Sequence, residues 1–202
     1  MSELLKLELW RQLIVLAPLG LALLIAAATD LRERKVYNWL TYPLFFVCLI
    51  THTIAMGWAG LGSGLLASGA MLIIGLFILP FGWMKGGDIK LLIAVGAALG
   101  GKGLFEVFFY STLAGFFLGI FFALWNGYLR ELGRRLWHLL KGYFLLLVYR
   151  TKNFEPKLEE DERSKIPFAV AIFVGAAFTL SEHTWGWPGL LRWYLENLGM
   201  SL

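Results

Sequence analysis

The chemistry open to this chain rests on carboxylates. Its 202 residues are 58% hydrophobic and only 16% charged, and they include three aspartates, Asp30, Asp88 and Asp161. Asp88 follows Gly86 and Gly87 and precedes an apolar run, Ile89 to Gly100, that contains no proline. Glycine permits unusual backbone angles and close approach by another chain. Asp88 is therefore expected at the start of a helix, behind a bare backbone, at the edge of a bilayer. Asp30 closes the first apolar run, Gln12 to Thr29. A carboxylate at a helix start can be no more than a cap. Ionisable groups at membrane depth, however, mark ion paths, proton relays or reaction sites. Asp161 lies in the charged run Glu155–Arg163 and reads as solvated.

The elements that must position these groups follow from composition. A mean hydropathy of +0.68 indicates an all-α integral membrane protein. The apolar runs predict one bundle, 1–202, of six transmembrane helices: Gln12–Thr29, Tyr37–Gly57, Leu65–Trp83, Ile89–Gly100, Leu104–Tyr128, and Ile166 to Leu180 or Trp185. Gly57–Gly64 and Gly100–Gly103 read as turns, and Pro80 as a kink or stop. Gly115 and Gly119 have the small-residue spacing of helix packing. Residues 129–165 form a polar loop with one apolar island, Trp137–Tyr149, too short to span and expected to lie in the interface. Ala26-Ala27-Ala28 could pass for a signal-peptide cleavage site, but the leading residues carry no net positive charge and a basic cluster follows at once. The lone Cys48 excludes an internal disulfide. Cys48 and His52, one turn apart, give too few ligands for a metal. No metal or cofactor is expected, and no nucleic acid either, because the basic residues flank the hydrophobic spans instead of lining a soluble face.

Those basic residues set the orientation. Arg32, Arg34 and Lys35 follow the first helix, Lys85 and Lys90 flank Asp88, and nine more lie between Arg130 and Lys165. The other side has Lys6, Arg11, Lys102 and Arg192. The excess places the first set in the cytoplasm and both termini outside. Asp30 and Asp88 then share one depth at the cytoplasmic face.

At this point the chain resembles a known family. Lys85-Gly86-Gly87-Asp88-Ile89-Lys90-Leu91-Leu92, with Gly96 beyond, is similar to the second catalytic motif of type IV prepilin peptidases, the GxGD membrane aspartyl proteases. Asp30, followed by Arg32, Arg34, Lys35 and Asn38-Trp39-Leu40-Thr41, resembles the first motif. Ile166-Pro167-Phe168-Ala169-Val170-Ala171-Ile172 resembles the last-helix motif in the form found in tight-adherence pilus peptidases. Lys85 stands where the motif has its first glycine, and Tyr37 where proline usually precedes Asn38. The four-cysteine zinc domain of larger members is missing, so their N-methyltransferase activity is not expected.

The resemblance implies leader-peptide removal from prepilins in the inner membrane of a bacterium. Asp30 and Asp88 would be the catalytic pair, with one ionised to activate water and one protonated to polarise the carbonyl. Gly86 and Gly87 would let substrate backbone lie beside them, and Asn38 and Lys90 join them in substrate binding. A helix N-terminus favours an anion and a C-terminus disfavours it, which assigns the proton to Asp30. The acidic run Glu155–Glu162 could attract a basic leader. Two other classes fit the same carboxylates: a proton-coupled carrier, and a non-catalytic membrane subunit of a secretion or pilus machine. The carrier lacks an acidic or histidine chain leading outward, since His52 is isolated.

Overall fold

The computed structural model describes residues 2–81, 84–125, 137 and 168–185. Among them the chain is all helical: α1 (Ser2–Glu33), α2 (Asn38–Ile78), a 3-10 turn (Leu79–Phe81), α3 (Gly86–Trp125) and α4 (Phe168–Trp185). Leu13–Glu33, Asn38–Ile78 and Gly86–Phe122 are each long and apolar enough to cross a membrane, as a multi-pass membrane protein requires.

Among the described residues α2 and α3 each join two helices across a kink, so the two glycine-rich turns are not loops. Each is a single residue inside a helix. Gly57 (φ 67°, ψ −153°) interrupts α2, and Gly100 (φ 68°, ψ −168°) interrupts α3. That conformation is essentially restricted to glycine. At Gly57 the chain doubles back. His52 Nε2 lies 3.2 Å from Ser63 Oγ, eleven residues on, a separation of about 16 Å along a straight helix. The residues after Gly57, read as a turn, are helical and form a packing face. A Cβ on Gly64 would sit 2.9 Å from the Ala97 carbonyl, and one on Gly75 would overlap Ile89. Ser68 Oγ donates to the Ile93 carbonyl at 3.0 Å. Small residues let helices in lipid approach this closely. These pairings run antiparallel, so the second half of α2 returns alongside the first half of α3.

The first half of α2 runs parallel to α3. Lys90 Nζ donates to Asn38 Oδ1 at 2.8 Å near the start of both helices, while His52 reaches the Ala98 backbone and the neighbourhood of Gly100 further on. α4 packs antiparallel to the preceding part of α3: Gly115 meets the Phe168 ring, Gly175 passes against Ser111, and the Tyr110 and Phe178 rings lie 5.1 Å apart. In consequence the end of α1 and the starts of α2, α3 and α4 meet at one end of the bundle, and Gly57 and Gly100 lie at the other.

The core of α1 is a stripe at helical spacing, Val15, Leu19, Leu23, Ala26 and then Asp30. Its remaining faces, with Leu21, Leu24 and Leu31, are apolar and exposed, as a lipid-facing helix should be. The chain forms two compact units, Met1–Gly115 with Pro167–Leu202, and Phe116–Ile166. In the second, the Phe121 and Trp125 rings lie 5.8 Å apart. Of the island Trp137–Tyr149, only Trp137 is described, helical and exposed. The acidic run Glu155–Glu162 and the segment after Trp185 lie outside the described residues.

Candidate active site

Asp30 sits in the last turn of α1, where the buried stripe reaches the end of the helix, and it is 1% exposed. Its Oδ2 accepts the backbone N–H of Ala169 at 3.0 Å. Ala169 is the second residue of α4, so Asp30 supplies an acceptor for one of the N–H groups that every helix start leaves unpaired. α1 then stops through Arg34, whose N–H donates to the Asp30 carbonyl at 2.9 Å and whose φ is +53°. This is a left-handed helix cap built without glycine.

Asp88 is 2% exposed and lies in the first turn of α3. The helix begins at Gly86, three residues before the expected start, because Lys85 serves as its cap: the Lys85 carbonyl accepts the N–H groups of Asp88 (3.0 Å) and Ile89 (3.2 Å). Asp88 Oδ2 accepts the Lys85 N–H at 3.3 Å, the reach-back half of a capping box. Asp88 is thus a third-position residue and not the cap itself. Both carboxylates therefore lie at helix N-termini, Asp88 at that of its own helix and Asp30 at that of α4. The helix-end asymmetry that assigned the proton to Asp30 is cancelled by α4.

The two carboxylates stand 58 positions apart in sequence, the charge of Asp30 bears on Asp88, and the charge of Lys85 bears on both. Lys85 Nζ also donates to the Arg34 carbonyl at 3.3 Å. The segment between α1 and α2 presses on the second glycine of the pair: a Cβ on Gly87 would sit 2.8 Å from Val36 Cβ, whereas one on Gly86 would meet nothing within 4 Å. Tyr37, which precedes α2, donates its hydroxyl to Glu33. That acceptor and its charge hold the phenol above its usual range.

A cleft of about 290 Å³ opens here, lined among the described residues by Arg34, Lys35, Val36, Tyr37, Asn38, Lys85, Gly87 and Asp88. Asp88, Gly87 and Asn38 therefore line it. Asp30, Gly86 and Lys90 do not. Asp30 is buried and bonded to the Ala169 N–H, Gly86 is exposed, and Lys90 is bonded to Asn38 and lies 5.0 Å from the centre of the Tyr42 ring. Lys90 and Asn38 hold the starts of α2 and α3 together, which places the first turn of α3 against the cleft. His52 lies at the far end, bonded to Ser63.

Sequence reasoning missed the Ala169 N–H and the bridging role of Lys85. The first had a signal, since proline at position 167 marks a helix start whose following N–H groups need acceptors. The second had none, because Lys85 meets Arg34 only through the fold. A family model for the type IV leader peptidase family matches residues 17–120, just over half of the chain. No curated protein matches it, and no solved structure does.

Proposed function

Because this chain belongs to the type IV leader peptidase family, we propose that it is a membrane-embedded aspartyl endopeptidase that removes the leader peptide from a prepilin-type protein. The observation that carries this reading is that Asp30 and Asp88, both buried, lie at one end of the bundle near enough for the charge of Asp30 to act on Asp88, which lines an open cleft. Two neighbouring carboxylates can share one proton. The ionised member takes a proton from a water molecule as that water attacks the scissile carbonyl, and the protonated member donates to the carbonyl oxygen. The resulting tetrahedral diol collapses as a proton passes to the leaving nitrogen, which leaves a carboxylate and an amine.

The excess of basic residues on the Asp-bearing side supports a cytoplasmic site in an inner membrane. A prepilin carries a basic leader in the cytoplasm and an apolar helix in the bilayer, so its cut lies at this depth. The reversals at Gly57 and Gly100 support six crossings, with each half of α2 and α3 as one pass. A single cysteine cannot supply a multi-cysteine zinc site, which supports cleavage without methylation.

The test is cleavage of a reconstituted prepilin by the purified protein. Asp30→Asn and Asp88→Asn should each lower kcat/KM by at least about a hundredfold. The double variant should be hardly worse than either, since half a pair shares no proton. Wild-type rates in either single variant would exclude the pair and return the chain to the carrier or subunit classes.

A further inference from the structure

We propose that Lys85 is a positioning residue that locks the two aspartate-bearing helices into reactive register, a role that rests on the peptidase reading above. Lys85 touches Asp88 and the end of α1 through different atoms. Its backbone N–H donates to Asp88 Oδ2, and its carbonyl accepts the N–H groups of Asp88 and Ile89. Its ammonium crosses the cleft to the Arg34 carbonyl. Arg34 is the left-handed residue that ends α1, and its own N–H is bonded to the Asp30 carbonyl. The path Asp88–Lys85–Arg34–Asp30 is therefore an unbroken line of hydrogen bonds between the two reacting residues.

The backbone bonds of Lys85 could be made by any residue but proline. The ammonium bond could not. The motif that this stretch resembles has glycine at this position, which offers no side chain to reach α1. In this chain the end of α1 is capped by an arginine with positive φ in place of glycine, and the lysine opposite fastens its carbonyl. A carbonyl held by a cation is a stronger tie than one left to water.

The experiment uses the full chain in lipid nanodiscs and a single-span substrate with a lysine- and arginine-rich leader joined to an apolar helix. Lys85→Met keeps the stem and removes the charge. It should lower kcat by about tenfold to a hundredfold, the cost of a small misplacement of reacting groups, with KM changed by no more than about twofold. Lys85→Arg, which can still donate to the Arg34 carbonyl, should recover most of the loss. Lys102→Met, at the far end, should match wild type. Should Lys85→Met fail to fold, Lys85→Cys decides the matter. Alkylation with bromoethylamine should restore turnover by regenerating an ammonium, while iodoacetamide should not, and the native Cys48 is buried away from both reagents. Wild-type kcat in Lys85→Met, a loss confined to KM, or equal recovery with either reagent overturns the role of Lys85 and leaves the peptidase reading standing. No cleavage by the wild-type chain itself sinks that reading, and this inference with it.

Discussion

At the scale of single residues the two aspartates do different structural work, and that difference can be measured. Asp30→Ala leaves the Ala169 N–H buried without an acceptor, which should cost about 1–3 kcal/mol. Asp30→Asn keeps an acceptor in place and should stay within about 1 kcal/mol of wild type. Unfolding midpoints in a detergent titration would separate the two variants, and equal midpoints would show that the Ala169 bond contributes nothing. The neighbouring glycines make a second pair. Gly87→Ala forces a Cβ against Val36 and should destabilise by about 1–3 kcal/mol and lower activity. Gly86→Ala meets open space and should be neutral or slightly stabilising. That Asp30 and Asp88 lie at one end of the bundle was legible in the sequence because glycines, basic residues and apolar runs flank both. The capping of α4 by Asp30 was not, since it joins residues 139 positions apart through one backbone N–H.

At the scale of elements the legible part was the set of apolar runs, and the illegible part was how they join. Gly57–Gly64 looks like a turn because glycine punctuates soluble sequences. In lipid the same glycines pay no penalty for lacking a side chain when a neighbouring helix fills the space, so Gly64 and Gly75 pack on Ala97 and Ile89. Only φ distinguishes the joints. Gly57→Ala and Gly100→Ala place a side chain where φ is near +67° and should each cost about 1–3 kcal/mol. Gly62→Ala, with nothing within 4 Å of its Cβ, should be harmless. If all three behaved alike in the detergent titration, the reversals would not depend on glycine.

For the molecule as a whole, the arrangement predicts which groups share a side of the membrane. Residue 35 lies beside the cleft and residue 102 beside the Gly100 reversal, so they belong at opposite ends. In right-side-out vesicles, Lys102→Cys should react with an impermeant maleimide and Lys35→Cys should not. Inverted vesicles should exchange the two results. The buried Cys48 provides a quiet background. Labelling of both cysteines from the outside would exclude the cytoplasmic site and the six-pass topology together.

The bond from Ala169 to Asp30 has a consequence for how such a chain ages under mutation. Position 30 serves both assembly and reaction, and its structural duty is to the seating of a separate helix. The polar bond of Asp88 is made to the Lys85 N–H at the start of its own helix and seats no separate helix. A duplicate relieved of any need to cut would therefore lose its two aspartates unequally. In a library randomised at both positions and selected only for correct insertion, position 30 should settle on Asp and Asn while position 88 drifts across many residues, so that an inactive descendant would still bear an acceptor at 30 as the mark of its ancestry.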